Sequence, residues 1–195
     1  MSSAVYDLEF LKTASQQLEK YLLSDVLYWP LGISHPPCFP PYPRLTIGGI
    51  LLTQSRASIT CETSEEKKQL NKTEDDIKNL RSLWSVYWDK KGQREFNARL
   101  TIWSNFLDDY QENPNDQFDR YSYESRHRVQ LELLKKDISI QNDLLKLLAA
   151  LELILKAYFK PGEFIWKKTL MPAFPPESYW FLYGSLAESV ENTER

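Results

Sequence analysis

The chain has 195 residues, 42% of them apolar and 13% aromatic, and a formal net charge of −3. That length and composition fit one domain with a full hydrophobic core and rule out a disordered chain. The acidic balance gives no global attraction to phosphate backbones or anionic membranes, and two cysteines, Cys38 and Cys61, exclude a disulfide framework.

Met1 to Phe10 lacks the basic start and apolar run of a signal peptide. The chain is therefore expected to be cytoplasmic, with one helical domain over 1–187 and a frayed tail over 188–195. Helical periodicity begins at once. Leu8, Leu11, Ala14, Leu18, Tyr21 and Leu22 recur at intervals of three and four, predicting a helix from Val5 to Leu27 that Trp29-Pro30-Leu31-Gly32 stops. Five of the eleven prolines follow between Pro36 and Pro43. Such a run favours polyproline geometry, either as a ligand for an aromatic groove or as a stiff crossover packing Phe39 and Tyr42 on the bundle; the crossover is preferred.

Thr46 to Ser58 predicts a second helix. Gly48-Gly49 near its start faintly resembles a phosphate loop, but the lysine of that motif is missing, so close helix packing accounts for them better. Thr63-Ser64-Glu65-Glu66 is a capping box opening a charged, solvated helix. In the stretch that follows, Trp84, Trp88, Glu95, Arg99, Ile102 and Phe106 share one face, while Phe96, Leu100, Trp103, Leu107 and Tyr110 share another. The change of face near Lys90-Lys91-Gly92 predicts a kink or break at Gly92. Asn113-Pro114-Asn115 is a turn, and helices are predicted over Arg120–Asp137 and Asn142–Phe159. Beyond its first turn the second of these is apolar apart from a narrow strip that continues from Asn142 through Lys146, Glu152 and Lys156. Those charges exclude a membrane span, and the nearly continuous apolar surface predicts a central, well-covered helix. Beyond Pro161-Gly162, crowded rings and prolines predict an extended strap with a short helical turn after Pro176.

The expected architecture is thus all-α: a single-domain bundle of five or six helices with a proline-rich crossover and an aromatic C-terminal strap. Its chemistry is sparse. His127, on an apolar helix face beside Glu124, is either a base oriented by that carboxylate or a core-edge histidine holding one hydrogen bond; no nucleophile accompanies it, which favours the second reading. No spacing suits a metal or cofactor, and none is expected.

Two candidate sites remain. Glu95 and Arg99, with Trp88 and Trp103 around them, form an ion pair on an apolar face that is either structural or a partner- or ligand-binding spot, with Arg99 able to stack on either ring. Arg120, Tyr121, Tyr123, Arg126 and Arg128 could serve phosphate contacts and base stacking, although Asp108, Asp109, Glu112, Asp116, Asp119 and Glu124 would cancel much of their field. The leading expectation is a non-catalytic protein–protein interaction module with another protein as partner, supported by abundant Trp, Tyr and Arg. Nucleic-acid binding through the arginine and tyrosine cluster is the disfavoured alternative. A small-molecule sensor or enzyme with a pocket near Glu95 and Arg99 stands third, and a deep pocket holding Glu95, Arg99 or His127 would favour it.

Overall fold

The computed structural model describes residues 4–36 and 39–187. They form an all-α bundle with one small hairpin. In chain order come α1 (Ala4–Leu23), α2 (Ile47–Thr60), α3 (Ser64–Leu83), α4 (Ser85–Glu112), the four-residue α5 (Pro114–Gln117), α6 (Tyr121–Asp137) and α7 (Asn142–Tyr158). Strand β1 (Phe159–Phe164), the short α8 (Pro176–Tyr179) and strand β2 (Tyr183–Leu186) complete the order. Six helices longer than one turn match the expected number. Among the described residues no helix is long and apolar enough to cross a membrane.

Local chemistry explains most boundaries. Thr46 caps α2 by accepting from the Gly49 amide, and Thr63 with Glu66 closes the capping box at the start of α3. Helix α1 ends at Leu23, four residues before the expected Leu27. There the buried Lys91 Nζ donates to the Val26 carbonyl at 2.5 Å and to Ser24 Oγ at 3.3 Å, claiming polar groups that a longer helix would have used itself.

The break in the long helical stretch falls at Trp84 (φ −113°, ψ 34°) and not at Gly92. It divides the part that packs on α1 from the part that packs on α6. Gly92 has another role: a Cβ there would lie 2.6 Å from Ile138 Cδ1, so the glycine lets the end of α6 approach α4. The two faces read from the sequence are the two edges of one buried arc on α4, running from Trp88 through Glu95, Phe96, Arg99, Leu100 and Trp103 to Tyr110. At 100° per residue this arc covers about half the circumference.

Helix α7 departs from expectation. Only Leu148, Leu151 and Leu155 are buried, while Leu147 is 46% and Leu153 70% exposed, so the most apolar helix lies at the edge of the bundle. The core centres on α4, α6 and α2.

The C-terminal segment docks as a strap, with α8 beginning at Pro176 as expected, but it also contains a hairpin that the sequence reading lacked. β1 and β2 pair antiparallel with Phe159 opposite Leu186. Tyr121 Oη donates to the Phe181 carbonyl at 2.6 Å, Trp166 Nε1 donates to the Ser122 carbonyl at 2.9 Å, and Tyr110 Oη donates to the Ala187 carbonyl. The strap therefore fastens to α4 and α6. Tyr6 of α1 stacks on Phe39 and Tyr42 of the crossover, at centroid distances of 5.3 and 4.4 Å. Pro37 and Cys38, within the expected polyproline run, lie outside the described residues, as does the expected tail over 188–195.

Candidate functional site

Spacing of four on α4 brings Glu95 and Arg99 together, and the fold then surrounds them. Arg99 Nε donates to Glu95 Oε1 at 2.6 Å, with Glu95 wholly buried and Arg99 5% exposed. The other carboxylate oxygen accepts from the Gly48 amide at 2.9 Å, in the first turn of α2. Glu95 thus supplies the negative charge that a helix N-terminus favours. Gly48 is required for this seat, because a Cβ there would come within 2.8 Å of Glu95 Oε1. The resemblance of Gly48-Gly49 to a phosphate loop has a specific resolution: the anion at this helix start is internal.

Arg99 is held on all sides. Its Nη2 donates to Thr46 Oγ1 at 3.1 Å and its Nη1 to His127 Nδ1 at 2.9 Å. A guanidinium has donors and no acceptor, so His127 accepts at Nδ1 and carries its proton on Nε2. Burial first, then the charges of Arg99 and Arg126, push His127 down to about 3. The ring is neutral at physiological pH, and its 3.7 Å separation from Glu124 is not an ion pair. Of the two readings of His127, the geometry matches the histidine satisfied by one bond, and the partner is Arg99.

Arg99 and His127 form the floor of a cavity of about 590 Å³. Its walls come from α1, α2, α4, α6 and the crossover, with Tyr6, Tyr28, Pro41 and Pro43 giving ring and proline surfaces. This volume lies within the usual range for small-molecule sites. Four arginines line it, Arg44, Arg56, Arg99 and Arg126, and no aspartate or glutamate does. Arg56 is paired with Asp7 at 2.6 Å and Arg99 with Glu95. Arg44 touches the Tyr28 carbonyl at 3.4 Å, and Arg126 stacks 3.6 Å from the centre of the Tyr123 ring; neither has a carboxylate partner among the described residues. Tyr28 Oη and Gln130 Oε1 are buried atoms without a hydrogen-bond partner among the described residues, and Gln130 is 6% exposed.

The expected site residues part company here. Of the first set, Arg99 reaches the cavity and Glu95 stands directly behind it. Trp88 and Trp103 are buried elsewhere: Trp88 donates to Asp137 Oδ2 at 2.7 Å, and Trp103 stacks on Phe106. Arg81, rather than Arg99, lies over the Trp88 ring at 5.3 Å. Of the second set, only Tyr123 and Arg126 line the cavity. Arg120 is occupied by Gln117 and Glu124. Tyr121 is 2% exposed and tied to the strap, while Arg128 is 1% exposed between Glu132 and Glu152, beneath the Phe181 ring. The five do not form a common surface.

The sequence reading missed Tyr28, Arg44 and Gln130 altogether, and placed Thr46 only as a helix start. The available signal was the N-cap threonine with Gly48-Gly49 in the first turn behind it. Among the described residues no group of histidine, cysteine, aspartate and glutamate could hold a metal ion. Compared with known protein families, with curated proteins and with solved structures, the chain matches none. The cavity brings together four arginines and a neutral imidazole with no carboxylate on its lining, a donor-rich arrangement suited to holding an anion.

Proposed function

We propose that this protein binds a small organic anion in the cavity above Arg99 and His127. The observation that carries the reading is the lining: four arginines and, among the described residues, no carboxylate and no counter-charge for two of the cations. Arginine forks suit bidentate recognition of carboxylate or phosphate oxygens, and each charge-assisted bond contributes about 1.5–3 kcal/mol. Arg44 and Arg126 supply the uncompensated charge, and Arg99, already paired with Glu95 and fixed by Thr46 and His127, adds a preorganised surface that loses little side-chain entropy on binding. The proline and tyrosine walls would exclude water from the body of the ligand. Binding, rather than reaction, is the role such a set of groups supports, and a sensor or carrier is the matching class.

The test uses 8-anilinonaphthalene-1-sulfonate, an anion with a flat apolar body. Saturable one-to-one binding that raises the unfolding temperature is expected, weakened strongly by Arg126→Glu and by Arg44→Glu. A dye that binds without saturation, or equally well to both variants, would refute the proposal.

The interaction-module reading keeps one specific support. Leu147 and Leu153 on α7, and Leu83, Val86 and Tyr87 at the α3–α4 elbow, are exposed apolar side chains of the kind a protein partner covers. A small-molecule switch that reports to another protein would use both features. Nucleic-acid binding has less support, since Tyr121 and Arg128 are buried.

A further inference from the structure

We infer that the outer face of α7 is a docking surface for a second copy of this chain, which pairs with it as an antiparallel helix. The helix has 17 residues and is therefore about 25 Å long. Leu148, Leu151 and Leu155 face the bundle, and Glu152 turns aside to Arg128 of its own chain. Leu147, Ala150, Leu153 and Ala157 stay exposed on an arc of about 120°, with Leu147 46% and Leu153 70% open. Asp143 and Lys146 continue that arc at its N-terminal end.

Symmetry identifies the occupant. Leu147 and Leu153 stand three residues before and three residues after Ala150. A two-fold axis through Ala150 therefore sets Leu147 of each copy against Leu153 of the other, so the face is its own complement. The small side chain lies at the axis, where the two helices come closest, and the large ones lie to either side of it. A methyl group there lets the backbones approach until the four leucines interlock.

Charge sets the direction. In the antiparallel pair Asp143 falls opposite Ala157 of the other copy, beside the exposed Lys156 and Lys160 of that copy. Within one chain Asp143 bonds only at the surface, to Lys146 at 3.2 Å, and Lys156 lies over the Trp180 ring at 5.4 Å. Exposed contacts of this kind are exchanged at little cost. A parallel pair would instead set Asp143 on Asp143 and Lys146 on Lys146, and would align the two helix dipoles. One pair of helices covers less than the roughly 800 Å² per partner of a stable complex, so the association is weak and the dilute chain is a monomer.

Sedimentation velocity of the full chain tests this. Between about 5 and about 500 µM the natural chain should pass from monomer towards dimer. Leu153→Glu changes a side chain that is 70% exposed, so the dilute monomer should unfold at an unchanged temperature while its association weakens at least about tenfold. Val86→Glu, at the 75% exposed apolar position of the α3–α4 elbow, should leave the association as it is. Asp143→Lys should weaken it about threefold or more, and adding Lys156→Glu and Lys160→Glu to the same chain should restore it.

A natural chain that stays monomeric to the top of that range would overturn the inference and leave the face to a different protein. So would association that survives Leu153→Glu or is lost with Val86→Glu, since the contact would then lie elsewhere. Failure of the three reversals together to recover what Asp143→Lys lost would refute the antiparallel pairing. None of these outcomes bears on the anion pocket, whose dye binding is read separately.

Discussion

Helices α4 and α7 reverse the relation that composition suggests. Helix α4 carries Lys91, Glu95 and Arg99 on its buried arc and forms the centre of the molecule, while α7 has a nearly unbroken apolar surface and lies at the edge with Leu147 and Leu153 open. What admits the charges of α4 is the completeness of their partners. Glu95 has both oxygens satisfied and Arg99 has three acceptor partners, while Lys91 reaches Val26 and Ser24 with its charge over the Tyr21 ring at 4.6 Å. Burying charge is tolerable only on those terms. An apolar surface makes no such demand, and nothing in α7 itself calls for a cover on every side.

The largest effect that could break this comparison is at Arg99. Arg99→Ala strands the wholly buried Glu95 carboxylate and should cost about 3–5 kcal/mol, whereas Arg94→Ala, on the exposed side of the same helix, should stay within about 0.5 kcal/mol. Urea unfolding of the two variants measures the difference. Comparable midpoints would mean that Glu95 finds water, and the account of α4 would fail. A second contrast lies within α7. Leu155→Ala should cost about 2–5 kcal/mol, while Leu153→Ala should cost no more than about 0.5 kcal/mol. Equal losses would show that the outer face of α7 is covered in solution, strengthening the interaction reading.

The smallest effect is a slope with pH. The unfolded chain protonates His127 near its ordinary value of about 6.5, whereas burial and then Arg99 and Arg126 hold the folded group down to about 3. Between those values the unfolded state binds more protons. Stability contributed by the neutral ring is therefore complete above about pH 6.5 and declines as pH falls, by at most about 1.4 kcal/mol per unit from this group. Denaturation midpoints at pH 7, 6 and 5 should drift downward in the natural chain and flatten in His127→Gln. An unchanged slope in the variant would assign the drift to other groups.

These contrasts mark what was legible in the sequence. Local signals read true: the Thr63–Glu66 box, the extents of α6 and α7, the helical turn after Pro176, and the Glu95–Arg99 pair at a spacing of four. What failed depended on contacts made far along the chain. The break at Trp84 and the role of Gly92 follow from where α3 and α6 pack, and the exposure of α7 follows from what is absent around it. The site suffered most. Gly48 meets Glu95 across 47 positions, and Arg99 meets His127 across 28, so neither pairing has a local periodicity to announce it. An arginine such as Arg44, in a proline-rich crossover, gives no pattern at all.

That crossover has a consequence of its own. Trp29 and Leu45 exchange backbone hydrogen bonds at 3.1 and 2.8 Å, and Gln17 of α1 grips the same place twice, accepting from Trp29 Nε1 at 2.7 Å and donating to the Leu31 carbonyl at 2.8 Å. The two ends of the loop are thus clasped to each other and to the first helix independently of what lies between them. Pro40, Pro41, Pro43 and Arg44 belong to the cavity wall but not to the helical framework. The loop is therefore an exchangeable cassette: its length and side chains can drift, or be grafted from elsewhere, while the scaffold persists. Divergence in the proposed ligand preference would then be written in the crossover long before it reached Glu95 and Arg99.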